Sequence, residues 1–272
     1  MRIALLHPGA MGASVGQALL DSGHEVCWCA AGRSRATHTR AAPFTPFESM
    51  AELLAAAEGV VSVCPPDQAV ALAQSVVDSG YRGLYVDANA VAPATARRIA
   101  DLVGAGYVDG GLIGPPARQP DTTRLYLSGT QAADVAAWFT DGFLAARVVD
   151  DAPTSASALK MAYAGYTKGV SALLLAVNAM AEQAGVRDAL LQEWALSQPG
   201  LAARSASTAQ GTAGKAWRFA GEMQEIANSF AEFGLPPDFH LGAAVLYTRM
   251  QALKDQPDAD LHKVMAEILN NT

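Results

Sequence analysis

The stretch Pro153 to Lys168, PTSASALKMAYAGYTK, divides the chain by pattern. Before it, short β-branched runs alternate with helical segments. After it, every apolar segment repeats at the helical period. A chain so ordered builds an α/β domain first and an all-helical domain second, with a long helix joining them. Thr154 or Ser155 can cap that helix, whose apolar residues run through Leu173, Leu174 and Leu175 to Met180. At 3.6 residues per turn, Lys160, Ala164, Thr167 and Lys168 share one face, so a lysine enters an otherwise apolar element. Two readings of Lys160 are open: a buried stem with its ammonium snorkelling to water, or an amine facing a reaction site.

Of the 272 residues, 51% are hydrophobic and 17% charged, which describes a compact globular chain with ample core. A net charge of -7 leaves no basic surface for nucleic acid or anionic lipid, so neither is an expected partner. Cys27, Cys29 and Cys64 are odd in number and form no Cys-x-x-Cys pair. They suggest neither a disulfide framework nor a zinc site, and a reducing cytoplasm fits them. No spacing among the five histidines resembles a metal site. The first apolar run ends at Leu6, and no later run reaches the ~20 residues a membrane span needs.

Arg2 to Leu6 reads as a buried parallel strand, followed by the glycine turn HPGAMGASVG and a helix through Leu20. Strand, glycine turn and helix in that order form a dinucleotide-binding unit. Gly9 lets the chain pass a pyrophosphate closely, Gly12 lets the helix pack on the strand, and the N–H groups of Ala10, Met11 and Gly12 face phosphate. His7 stands at the usual first glycine. A plain tight turn reads the same residues equally well, and what separates the two is the second strand, Glu25 to Cys29, at βαβ spacing. This predicts a Rossmann domain over residues 1–152 and an all-helical substrate and dimerisation domain over 153–272.

After the second strand, an acid would bind the adenosine ribose and repel a 2′-phosphate. The sequence there is Ala30-Ala31-Gly32-Arg33-Ser34-Arg35, without an acid. Arg33 offers phosphate a planar fork and Ser34 a hydroxyl, so NADP(H) is favoured over NAD(H). The alternative is that these arginines are solvated loop charges. Gly59 to Cys64 is another buried strand, ended by Pro65-Pro66, which puts Cys64, Pro65 and Pro66 over the cofactor. Cys64 reads as a packing residue, since no cation is near it in sequence. A helix from Ala69 to Ser79 follows. Leu84 to Asn89 repeats the strand pattern, and Asn89 is expected to point at the same cleft. Tyr107 to Asp109 leads into Gly110-Gly111-Leu112-Ile113-Gly114-Pro115-Pro116. Two further apolar segments, Arg124 to Ser128 and Arg147 to Val149, complete the sheet, and the helix between them is expected to carry Trp138 and Phe139.

These features together resemble the β-hydroxyacid dehydrogenase and phosphogluconate dehydrogenase superfamily, which also contains imine reductases. Gly9, Met11 and Gly12 match its glycine-x-Met-glycine turn. Cys64-Pro65-Pro66, the Asp87 to Pro93 segment and the helix with Lys160 fall in family order. Beyond about Leu190 the resemblance narrows to a less characterised branch named after phosphogluconate dehydrogenase. Its marker here is Ala216 to Ala227, AWRFAGEMQEIA, with Gly234-Leu235-Pro236-Pro237. The resemblance implies hydride transfer between a nicotinamide and a small hydroxyacid or sugar acid, Lys160 as general acid and base, and an intertwined homodimer. The chain departs from the pattern at three places. Ala164 stands for an asparagine one turn after the lysine, Ile113 for a carboxylate-binding serine, and Gly221 for a second lysine.

Gly114 in the α/β half and Tyr163, Glu222 and His240 in the helical half are the candidate substrate contacts. Glu222 and Glu225 share a helical face, although such acids are often solvated, and His240 beside Phe239 also reads as a structural histidine. The helices expected there span Val186–Leu196, Leu201–Ser207, Gly214–Phe233, Pro237–Leu253 and Leu261–Leu269. Two rival functions stand beside the dehydrogenase. Imine reduction is disfavoured by Lys160, where the imine reductases of the superfamily carry Asp or Tyr. A non-catalytic dinucleotide sensor would have no use for the lysine.

Overall fold

The computed structural model describes residues 1–254, 256 and 258–270, and they form two compact units, Met1–Met161 and Ala162–Thr272. The first unit opens with β1 (Arg2–Leu6), α1 (Ala10–Asp21), β2 (Glu25–Cys29), α2 (Arg35–Arg40) and β3 (Thr45–Phe47). It continues with α3 (Met50–Ala56), β4 (Gly59–Ser62), α4 (Pro66–Asp78), β5 (Leu84–Asp87) and α5 (Pro93–Val103). Then come β6 (Tyr107–Ile113), β7 (Thr123–Ser128), α6 (Ala132–Ala136), β8 (Leu144–Val148) and the first turns of α7 (Ser155–Gln183).

The strands make one sheet in the order β3-β2-β1-β4-β5-β6-β7-β8. Every neighbouring pair is parallel except β6 and β7. Alternation along β1 sorts the core into two layers. Ile3 and Leu5 join Val15 and Leu19 of α1 and Val135 of α6 on one face. Ala4 and Leu6 join Leu53 of α3, Val76 of α4 and Ile99 of α5 on the other. The domain is thus the three-layer α/β Rossmann type that the strand and helix alternation predicts.

The winding reverses at β1, because β2 and β3 are added on one side of it and β4 on the other. Open α/β sheets bind ligands outside the carboxyl ends of strands at such a point. The segments leaving that point are His7 to Gly12 after β1 and Val63 to Pro66 after β4.

Several sequence expectations are corrected in this unit. The helix after β4 begins at Pro66 rather than Ala69, because Pro65 and Pro66 hold the N-cap and first-turn positions where a missing N–H costs nothing. The helix expected to carry Trp138 and Phe139 ends at Ala136, and both aromatics follow it into the core. Trp138 lies against Gly59, where an added Cβ would stand 2.6 Å from the indole. The strand at Tyr107 does not stop at Asp109 but runs through both glycines to Ile113.

The second unit holds the rest of α7, then α8 (Arg187–Ser197), α9 (Leu201–Thr212), α10 (Ala216–Glu232), α11 (Asp238–Arg249) and α12 (Leu261–Asn270). It is all-helical, and α9 extends past the expected end at Ser207. Polar bonds tie its helices together inside the apolar packing. Tyr247 Oη donates to the Lys168 carbonyl at 2.7 Å, and Asn178 Nδ2 donates to Ser205 Oγ at 3.1 Å. Among the described residues no helix is long and apolar enough to cross a membrane.

Candidate active site

The turn after β1 has the shape a phosphate needs. Gly9 is the N-cap of α1, and no side chain caps that helix. A Cβ added at Gly9 meets nothing within 4 Å, so its surroundings are open. A Cβ added at Gly12 would overlap the His7 carbonyl oxygen. Gly12 is therefore required by the fold itself, whereas Gly9 (φ -67) leaves room for a ligand. The Gly9 N–H is bonded to His7 O at 2.9 Å, which tightens the turn and leaves the first N–H groups of α1 at its open end.

Arg33, just beyond β2, reaches back to this turn. Its Nη2 donates to His7 Nδ1 at 2.7 Å. Burial and then the Arg33 charge press the His7 pKa down to about 4, so the ring is neutral and its proton sits on Nε2. The Arg33 Nε is buried without a hydrogen-bond partner close to this turn. Ser34 caps α2 by accepting the Thr37 N–H at 3.3 Å and shares a 3.0 Å bond with Thr37 Oγ1. Arg40, at the end of α2, was not singled out by sequence. Its Nε donates to the Pro8 carbonyl at 3.3 Å, a second guanidinium on the same turn.

Across the switch point, Cys64 follows β4. Burial pushes its thiol up to about 12, with the Asp87 charge adding to the effect, so it stays protonated. Asn89 is expected to face the cofactor, but its side chain is turned into the sheet and only 2% exposed. Its Oδ1 accepts the Cys64 N–H at 2.5 Å, while Nδ2 donates to Ser62 Oγ at 3.0 Å and to Asp87. Asn89 therefore clamps the ends of β4 and β5 and shapes the edge through the backbone at Cys64. The open glycine, the uncapped helix and the unpartnered Arg33 donor fit a dinucleotide, with Gly9 to Gly12, Arg33 and the Cys64 to Pro66 backbone placed to hold it.

Lys160 lies at the carboxyl end of β6. Its Nζ donates to the Leu112 carbonyl at 2.7 Å, and the helix carrying it lies flush on the strand. A Cβ added at Gly111 would stand 2.6 Å from Ala156 O and 3.1 Å from Lys160 Cβ. Gly114 ends β6 with φ +124, and an added Cβ would overlap Thr122 O, so this turn demands glycine. Tyr163, one turn beyond Lys160, is 48% exposed.

In the second unit, Glu222 pairs with Lys168 at 2.8 Å, and both side chains are mostly covered. The Lys168 ammonium also lies 5.0 Å over the Phe219 ring. The Lys168 charge is thus met by the Glu222 carboxylate. His240 is buried, with its ring 4.1 Å from Phe230 and 5.2 Å from Phe239. Burial presses its pKa below the usual histidine value, against a hydrogen bond donated by the ring to the Gly165 backbone, which raises it. His240 is packed as a neutral ring. Among the described residues no group of three His, Cys, Asp or Glu is arranged to hold a metal ion.

Comparison with known proteins follows the same division. Residues 2–136 match the family described as the NAD binding domain of 6-phosphogluconate dehydrogenase. Residues 181–250 match a domain of unknown function, DUF1932. An uncharacterised 28.5 kDa protein of Methanothermus fervidus is 29% identical over 195 residues, 71% of this chain and 75% of that protein. A conserved protein of unknown function, described as structurally similar to 3-hydroxyacid dehydrogenases, superposes with TM-score 0.68 at 26% identity, over 95% of this chain and all of that one. The 3-hydroxyisobutyrate dehydrogenase of Mycobacterium tuberculosis superposes with TM-score 0.71 at 18% identity, over 98% of this chain and 99% of that one. The chain thus joins a domain matching the NAD-binding domain of 6-phosphogluconate dehydrogenase to one matching DUF1932, on a fold like that of the 3-hydroxyacid dehydrogenases.

Proposed function

We propose that the protein is an NADP-dependent oxidoreductase acting on a small hydroxyacid or sugar-acid-like alcohol and its carbonyl counterpart, with Lys160 as general acid and base. The observation that carries this reading is the Lys160 ammonium at the carboxyl edge of β6, 2.7 Å from the Leu112 carbonyl. A bound nicotinamide dinucleotide supplies the hydride acceptor or donor. As the neutral amine, Lys160 Nζ takes the hydroxyl proton when the alcohol is oxidised, and the ammonium so formed returns it to the oxygen in reduction. Leu112 O holds the amine at the strand end while it does so. Gly9 to Gly12 bind phosphate through backbone N–H groups. Arg33 supports the NADP preference, since its unpartnered Nε and its Nη2 on neutral His7 put a cation where an acid would repel a 2′-phosphate. Gly114 in the first unit and Tyr163, Glu222 and His240 in the second are the substrate contacts we assign.

A homodimer and a reducing cytoplasmic setting complete the reading. The first is supported by exposed Leu173 and Met180 on α7, and the second by three free cysteines. The test is a panel of hydroxyacids, sugar acids, aldehydes and imines followed by cofactor absorbance, with wild type beside Lys160→Met. The variant should bind NADP(H) normally and lose ~100- to 10,000-fold in turnover. Nearly full turnover would return Lys160 to a snorkelling helix residue.

A further inference from the structure

The first turn of helix α7 is held from the sheet. Asp109, fully buried on β6, accepts the Ser157 N–H at 2.8 Å on Oδ2 and the Ser157 hydroxyl at 2.5 Å on Oδ1. Ser128 of β7 donates to Asp109 Oδ2 at 3.2 Å, and its oxygen accepts the Ala156 N–H at 3.0 Å. Two of the otherwise unpaired N–H groups of the first helical turn are thus satisfied by strand side chains. A carboxylate in this position also meets the positive end of the helix dipole.

Two residues along β6, Gly111 sets the spacing. With no Cβ there, the Ala156 carbonyl and Lys160 Cβ lie directly against the strand. Leu112, next in line, offers the carbonyl that receives Lys160 Nζ. One strand therefore fixes the start of the helix, its height and the end of its lysine. Lys160 is one turn after Ser157, so a shift of the Ser157 anchor displaces Nζ directly.

We propose that Asp109 is the positioning residue for Lys160: by holding Ser157 and, through Ser128, Ala156, it sets where the amine stands at the carboxyl edge of the sheet. The significance for turnover rests on the general acid and base reading of Lys160. The anchoring itself does not. Asp109 acts through the first turn of α7. Burial lifts its pKa to about 6 against the Ser157 and Ser128 donors, which leaves it mostly ionised at neutral pH.

The experiment compares wild type, Asp109→Asn, Ser157→Ala, Lys160→Met and the double variant Asp109→Asn/Lys160→Met. In the apoprotein, acetic anhydride labelling with peptide mass spectrometry reads each lysine separately. Asp109→Asn should raise the labelling rate of Lys160 by about 2- to 10-fold, the ratio for one net hydrogen bond. Lys215, Lys254 and Lys263 should not change. An unchanged Lys160 rate, or an equal rise at all four, overturns the proposal. Ser157→Ala removes one bond to the same carboxylate and gives the same reading if Asp109→Asn does not fold.

On any alcohol of the panel that is turned over, Asp109→Asn should lower kcat by roughly 10- to 100-fold, the cost of a misplaced catalytic group, with KM for the dinucleotide unchanged. In the Lys160→Met background it should cause no further loss. Multiplying losses would mean that Asp109 acts by another route. Full turnover by Lys160→Met alone would instead remove the catalytic reading and leave the anchoring to the labelling result.

Discussion

Asp87 on β5 and Asp109 on β6 stand opposite each other in parallel register, two carboxyl groups buried side by side at the carboxyl end of the sheet. Asp109 has Ser157 and Ser128 as donors, whereas Asp87 Oδ2 has no hydrogen-bond partner. Burial and then the Asp109 charge push Asp87 up to about 7. Tyr85, Tyr107 and Cys64 surround the pair as neutral groups whose own pKa values are raised. Near neutral pH, Asp109 carries the charge and Asp87 holds much of its proton.

Because both carboxyl groups hold protons more tightly folded than unfolded, the native state binds more protons between about pH 4 and pH 7. Stability contributed by the pair is therefore present at low pH and falls as pH rises through that window. Asp87→Asn keeps an acceptor for Asn89 and removes the larger titration. Its stability should fall less steeply from pH 5 to pH 8 than that of wild type, as read by urea unfolding at each pH. Parallel curves would contradict the assignment.

Arg33→Ala should weaken NADP(H) by roughly ten- to hundredfold, the value of a charged hydrogen bond, and change NAD(H) little. Fluorescence titration of both cofactors checks this. Equal losses would mean that Arg33 serves only to hold His7.

Gly9 and Gly12 should respond differently to the same methyl group. Gly12→Ala forces a Cβ onto the His7 carbonyl and should cost ~1–3 kcal/mol of stability. Gly9→Ala has open space and an ordinary backbone, so its melting temperature should match wild type while dinucleotide affinity falls. A destabilised Gly9→Ala would show that the turn is closed.

Glu222→Gln breaks the covered pair with Lys168 and should destabilise the protein by ~1–3 kcal/mol, with the loss persisting in high salt. Thermal melts at low and high ionic strength decide the matter.

Light scattering at micromolar concentration should give twice the chain mass, and a monomer would refute the dimer. The exposed apolar side chains behind this expectation include Leu173 at 50% and Met180 at 62%.

The α/β half and the helical half were legible because each run of residues has a period of its own. Elements that tertiary contacts define were not. β3 is three residues long at the sheet edge with Pro46 in its middle, so it carries no alternation to read. Trp138 continues the apolar pattern of α6 only because Gly59 makes space for it in the core. The glycine turn and Lys160 announce themselves by residue type, but the partners that give them shape do not. Arg33 meets His7 across 26 residues, and Ser157 meets Asp109 across 48. Asn89 shows the opposite error: a polar residue at a strand end reads as a ligand contact, and the unpaired backbone of the neighbouring strand claims it first.

The protonated state of Cys64 has a chemical consequence. Peroxides and electrophiles attack the thiolate, and burial holds Cys64 up at about 12 and Cys27 at about 11. Both sulfurs stay in the unreactive form throughout the physiological range. Cys64 can thus stand at the edge where we expect reducing equivalents to be exchanged without entering that exchange. Oxidants that disable thiolate-dependent proteins should leave this edge of the sheet chemically intact.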